Sequence, residues 1–203
     1  SFGAAYFPDV LITDPATNTN VRSAPSTAVI GAYANYDFIA NPWNAPAGHT
    51  RGVLPRVVRS MVELGTNNMD SLYDGDINPI VKFQNADGVV INGQKTLLAV
   101  SSALDRINVR RLLIDIRRKV RAVADRFIFE PNRESTLAQF SQAVTPILQS
   151  VQQQSGVEKF KVLIDTTTTT QADVENNTIR VKIFLQPTRT AEFIALDFVV
   201  TNA

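Results

Sequence analysis

Cysteine is missing from all 203 residues, which excludes disulfides and thiolate metal sites and leaves the redox compartment unspecified. Histidine is nearly missing, with His49 the single one. It follows Gly48 in a proline-containing loop with no nucleophile or orienting carboxylate beside it. A general base needs both, so His49 reads as a surface or packing residue. The chain has no glycine-rich phosphate loop, no His-x-x-Glu-His and no Gly-x-Ser-x-Gly. Asp70, Asp74 and Asp76 lie close together, but their spacing does not match a calcium loop with alternating ligands and a distal Glu. Helix capping and solvation are the expected roles, and no catalytic residue, metal or cofactor is expected. A formal net charge of +1 sets up no global field towards nucleic acid or an acidic membrane. No apolar run approaches the roughly 20 residues of a membrane span, so no membrane insertion is expected. No signal-peptide pattern opens the chain, and its start at Ser1 rather than methionine suggests a fragment or a processed product. Internal repeats are absent, and the threonine run at 166–170 is the one low-complexity tract.

What is present supports a sizeable core. At 44% hydrophobic and 19% charged, 203 residues suit one large domain or two small ones. Residues 4–13 read as a strand segment interrupted at Pro8, which implies an edge or a bulge. The Asn, Thr, Asp and Pro of 14–20 form a turn-rich loop. Ser23 before Pro25 marks a helix start. Val29, Tyr33 and Tyr36 then keep helical spacing until Asn41-Pro42 ends it. A strand is expected near 61–64. Thr66 is placed to cap a short helix through Tyr73, with Gly75 as its left-handed terminator. Strands at 80–83 and 89–91 flank Asp87-Gly88, a tight-hairpin pair.

The best-defined element is a helix expected over 108–129. Val109, Leu112, Leu113, Ile116, Val120, Val123, Ala124 and Phe127 recur at three- and four-residue steps and make one apolar stripe. Asn108 is a plausible cap and Pro131 closes the element. The opposite face carries Arg110, Arg117, Arg118 and Arg121. A solvated face balanced by Asp115 and Asp125 is one reading of these arginines. A nucleic-acid surface is a second, but it calls for interleaved exposed aromatics or a strongly basic domain. A charged protein interface is the third. A second helix places Leu137, Phe140, Val144, Ile147 and Val151 on one side, with Pro146 expected to kink or split it and Ser155-Gly156 ending it. Three alternating segments follow, at 160–164, 179–185 and 194–200. Threonine favours extended backbone, so the run at 166–170 is either a strand extension or a solvated loop. The class is α+β: a mostly antiparallel sheet with two long helices packed on it, preceded by a smaller strand–helix region.

Four short motifs occur in order: Ile107-Asn108-Val109-Arg110-Arg111-Leu112, Phe129-Glu130-Pro131-Asn132, Thr170-Gln171-Ala172-Asp173 and Thr190-Ala191-Glu192-Phe193-Ile194. Their order and separations resemble the C-terminal domain of contractile tail sheath proteins. Ala45-Pro46-Ala47-Gly48 and the stretches 72–80 and 88–98 extend the resemblance towards the N-terminus. Asn92 and Lys95 depart from the family's usual tryptophan and arginine. The resemblance implies a structural subunit of the virion tail, assembled in the host cytoplasm. Such a subunit polymerises around a tail tube and contracts to drive it through the host envelope. It implies 1–95 as part of the sheath core region, a strand–helix–hairpin segment, and 96–203 as the C-terminal α+β domain. Implied partners are other sheath copies, joined by strand addition from neighbouring arms, the tube protein and the baseplate. Nucleic acid is not expected. Polymer linkage depends on those arms, and none is visible at either end, so a monomeric or weakly associating chain is expected. Arg110, Arg117, Arg118 and Arg121 become candidate contacts with a neighbouring copy or the tube. Glu192, expected in the last strand, is a candidate structural ion pair or interface residue. Sheaths of bacterial contractile injection systems fit the same motifs, and a nucleic-acid module built on the arginine helix is the alternative from another class.

Overall fold

The computed structural model describes residues 1–83, 88–164, 168–176 and 178–192. Pro8 does more than bulge a strand. It separates β1 (Ala5–Phe7) from β2 (Val10–Thr13), and the two strands join different sheets. β1 pairs in parallel with β5 (Ile77–Val81), which pairs antiparallel with β6 (Val90–Ile91). β2 lies between β3 (Asn20–Ser23) and β4 (Val57–Ser60), antiparallel to both. The strand expected near 61–64 therefore sits at 57–60, and Met61 N–H donates to Asp9 O at 2.8 Å. Its position follows pairing with β2 rather than its own hydrophobicity. Helix α1 (Pro25–Ile39) starts with proline in its first turn, where a missing N–H costs nothing. Val10, Val29, Ala32, Leu54, Ile80, Val89 and Ile91 close the core beneath these sheets.

A short helix α2 (Gly48–Arg51) carries His49, which is exposed with its ring 4.9 Å from Phe83. Helix α3 (Thr66–Asp74) starts at Gly65 with no side-chain cap, so Thr66 is its first residue rather than its cap. Gly75 does not terminate it in the left-handed region, having φ −84°. Asp76 takes that conformation, with φ 57°, and its carboxylate is held 3.1 Å from Lys95 Nζ. β5 and β6 pair as the strands expected at 80–83 and 89–91, but over 77–81 and 90–91, and Asp87 of the expected turn lies outside the described residues.

A 3₁₀ turn (Ala103–Asp105) leads into α4 (Ile107–Ala124), which continues as a second 3₁₀ turn (Asp125–Phe127). Arg106, not Asn108, is the cap, and no side chain closes this end. Instead Ile107 N–H donates to Gln94 O at 2.8 Å, so a neighbouring loop satisfies a donor that helix ends otherwise leave open. Asn108 is buried inside the helix. α5 (Glu134–Gln153) runs without a break through Pro146. Pro146 and Gln142, whose carbonyl it leaves without a helix donor, are both exposed, while Val144 and Leu148 on the inner side are both fully buried. Leu148 thus lies deeper than the expected Ile147, which is half-buried.

β7 (Val157–Leu163) and β8 (Lys182–Pro187) form an antiparallel pair. Their core joins Leu112, Ile116, Phe140, Val144, Leu148, Val151 and Val157 to Trp43 from the N-terminal half. Trp43 Nε1–H donates to Gln154 O at 3.0 Å. A Cβ at Gly156 would sit 2.6 Å from Val151 and 3.0 Å from the Trp43 ring, so this corner has room for glycine alone. Where it is described, the threonine run is loop rather than strand extension, but it is not solvated throughout. Thr168 and Thr169 are buried, and Thr170 caps α6 (Gln171–Glu175) with a complete capping box. The expected strand at 194–200 lies outside the described residues. The result is α+β: small, mostly antiparallel sheets with two long helices against the last of them.

Candidate interaction surface

α4 divides the candidate arginines into two groups. Arg110, near the start of the helix, is half-buried. Its guanidinium lies 4.1 Å from the Phe2 ring centroid and hydrogen-bonds Ser1 Oγ. Arg117, Arg118 and Arg121 lie further along and are exposed. All four lie along one side of α4, three of them open and Arg110 covered by the first two residues of the chain.

The balancing acids behave differently from one another. Asp115 is buried at 7% exposure. Lys119 Nζ lies 2.6 Å from its Oδ2, an ion contact rather than a directed hydrogen bond, and Arg118 reaches it only at 3.7 Å. Asp125 makes no ion pair among the described residues, and neither do Arg117 and Arg121. Asp115 thus serves Lys119 and leaves most of the arginine charge unbalanced. Beside these arginines runs an apolar groove of about 1280 Å³ between α4 and β8, floored by Leu113, Val120, Val181 and Ile183. Ile114 and Ile128 stand open at its rim.

Glu192 occupies a second polar centre. It follows β8 without belonging to a strand, and its side chain is 20% exposed. Arg106 Nε lies 2.7 Å from its Oε1, and Gln94 Nε2–H donates to the same oxygen at 3.1 Å. Tyr73 O–H donates to Oε2 at 3.1 Å, and Gln94 also donates to Thr190 Oγ1 at 2.7 Å. Burial, then the Glu192 carboxylate, push the Tyr73 phenol above its usual pKa. For Arg106, burial opposes the charge, but Glu192 and Asp105 outweigh it and raise the pKa. The cluster ties α3, the 94–96 segment, the start of α4 and the chain after β8 to one point. Tyr73, Gln94, Arg106 and Thr190 carry no shared sequence signal, being scattered over more than a hundred residues.

A third contact was also missed. Arg111 pairs with Asp37 of α1, and its guanidinium sits 4.9 Å from the Tyr33 ring centroid. Tyr33 hydrogen-bonds Tyr6 of β1. Burial, then the charge of Tyr6, raise the Tyr33 pKa far above the usual phenol value. Arg111 stood in a quoted motif, but its partner lies 74 residues away. Among the described residues no group of three or more His, Cys, Asp or Glu could hold a metal ion. No helix among them is long and apolar enough to cross a membrane.

The tail sheath protein of Vibrio phage KVP40 is 35% identical over 174 residues, covering 86% of this chain and 26% of that protein. A chain of the anti-feeding prophage baseplate matches with TM-score 0.86 and 26% identity, over 98% of this chain and 54% of the other. A chain of the sheath complex of an extracellular contractile injection system in its contracted state matches with TM-score 0.85 and 27% identity, over 97% and 55%. The chain therefore spans about a quarter of its phage relative and about half of these solved chains. Residues 99–201 match the family model described as the phage tail sheath C-terminal domain. With half of its length in that model, the chain belongs to the tail sheath family.

Proposed function

We propose that this chain is the inner part of a contractile sheath subunit, which polymerises around a tail tube, sits on a baseplate and shortens to drive the tube through an envelope. The observation carrying this reading is the near-complete likeness, over 98% and 97% of the chain, to chains of a contractile-system baseplate and a contracted sheath complex. A subunit with this job needs a domain that stays rigid while its neighbours move. The Glu192 cluster and the Trp43 core, which each join distant parts of the chain, suit that need. It acts by binding rather than by chemistry. The β7–β8 pair is the place where strands from neighbouring copies would add, since backbone pairing holds a partner while leaving its domain free to rotate. Its location is the virion tail, assembled in the host cytoplasm. The likeness to two injection-system chains supports a second reading, a sheath that delivers a tube without a phage genome. Electron microscopy of the purified full-length protein tests the class: tubes with a helical repeat are expected, and uniformly dispersed monomers at high concentration would overturn it.

A further inference from the structure

Two oppositely charged surfaces lie at opposite ends of α4. At the far end stand Arg117, Arg118 and Arg121, exposed beside the groove rimmed by Ile114 and Ile128. At the near end lies α3, anchored to the start of α4 by Arg106 Nη2–H donating to the Tyr73 hydroxyl oxygen at 3.2 Å. Asp70 and Asp74 of α3 are exposed and make no ion pair among the described residues. Their placement is unfavourable twice over within one chain. They are like charges at i,i+4, and Asp74 closes the last turn of the helix, where the macrodipole favours cations. Glu63, also exposed, adds to the same sign.

The separation matters. Arg117 to Arg121 follow Arg106 by 11 to 15 residues, roughly 16–22 Å at about 1.5 Å per residue. That is at least twice the screening length of about 8 Å at physiological salt, so the two surfaces do not neutralise each other within one molecule.

We propose that the arginine face of one copy receives the acidic face of α3 from a second copy. The proposal rests on the sheath reading and names the partner of its candidate surface. The contact is head-to-tail: two different patches meet, so each copy keeps one of each free for the next. A contact of this kind builds a ring if its rotation closes and an open helical filament if it does not. Charge pairing sets the register of the contact, with Asp70 and Asp74 side by side on the exposed face of α3. Directional charge contacts also suit a lattice whose subunits must shift, since they specify position without sealing a large dry interface.

Three variants of the full-length protein test this without any tube protein present: Arg117→Glu with Arg118→Glu and Arg121→Glu; Asp70→Lys with Asp74→Lys; and all five changes combined. Circular dichroism checks that each is folded, and sedimentation with microscopy measures polymer. A milder pair, Arg118→Gln with Arg121→Gln, guards against misfolding of the reversed variants. Each reversal alone is expected to lower polymer at least tenfold, the milder pair severalfold, and the five-fold variant to recover to within about threefold of the native protein. Polymer that forms normally in the arginine variant overturns the proposal. So does a combined variant as defective as the arginine variant, which would mean these arginines face another partner such as the tube. A defect that appears only when tube protein is added points the same way and also overturns it. Absence of any polymer from the native protein overturns the sheath reading itself, and this contact falls with it.

Discussion

Glu192 shows how one side chain fastens distant parts of the chain. It accepts from Gln94 and Tyr73 and pairs with Arg106, and both ionic partners are about three-quarters or more covered. Glu192→Gln keeps the shape but removes the charge that Arg106 faces. A loss of about 1–2 kcal/mol is expected, in the range for a charge-assisted hydrogen bond that is partly exposed. Urea unfolding measures it, and a change below about 0.3 kcal/mol would mean the cluster is merely coincident. Asp173 closes the capping box of α6 and lies 2.6 Å from Arg180 Nε. The Arg180 hydrogen bond, then those from Thr170, lower its pKa from 3.8 to about 2. A folded pKa below the unfolded one gives stability that is complete above about pH 4 and lost as pH falls towards 2. Carbon NMR of the Asp173 carboxyl checks this, and a midpoint near 3.8 would show that the Arg180 contact does not hold in solution.

Among the elements, α4 contributes Leu112 and Ile116 to the core of the second half. Leu112 and Ile116 are 1% and 4% exposed and pack with Trp43 and the inner side of α5. Truncating either to alanine is expected to cost about 2–5 kcal/mol, because the surrounding structure fills such a cavity only partly. Denaturant melts with losses under half a kcal/mol for both would place the stripe on the wrong side. α5 poses the reverse case. Pro146 sits inside a continuous helix on its open side, so it removes a hydrogen bond without serving any buried contact. Pro146→Ala is expected to raise stability by about 1–3 kcal/mol, given the cost of proline in a helix interior. A thermal melt that shifts downwards would show that proline is needed for the course of the helix.

In the whole molecule, packing crosses residue 95 in several places. Trp43 fills the core of the second half, Arg111 clamps α1, and Glu192 reaches back to α3. Movement of 1–95 against 96–203 would have to break all three. The arginine face stands apart from this network. Reversing Arg117, Arg118 and Arg121 together is expected to change unfolding free energy by less than about 1 kcal/mol, since exposed pairs contribute little. Equilibrium unfolding checks it, and a variant that loses its helical dichroism would mean these side chains are part of the packing.

The sequence by itself determined the periodic parts. The α4 stripe, the α5 stripe and the β7–β8 alternation are repeated burial decisions, and each repeat adds to a signal at 3.6 or 2 residues. The ordered motifs determined the family for a related reason, since several weak matches in one order are hard to meet by chance. Tertiary structure decided the single positions. Arg106 became the α4 cap because Gln94 O happens to lie over the next amide. β4 formed at 57–60 because β2 is there to pair with it, and Asp76 took the left-handed turn expected of Gly75 while held by Lys95. It also decided which arginines are free, since Phe2 and Ser1 reach Arg110 while nothing comparable covers Arg121 among the described residues. These choices depend on partners from about a dozen to more than a hundred residues away, each met once, and a contact met once leaves no period to read.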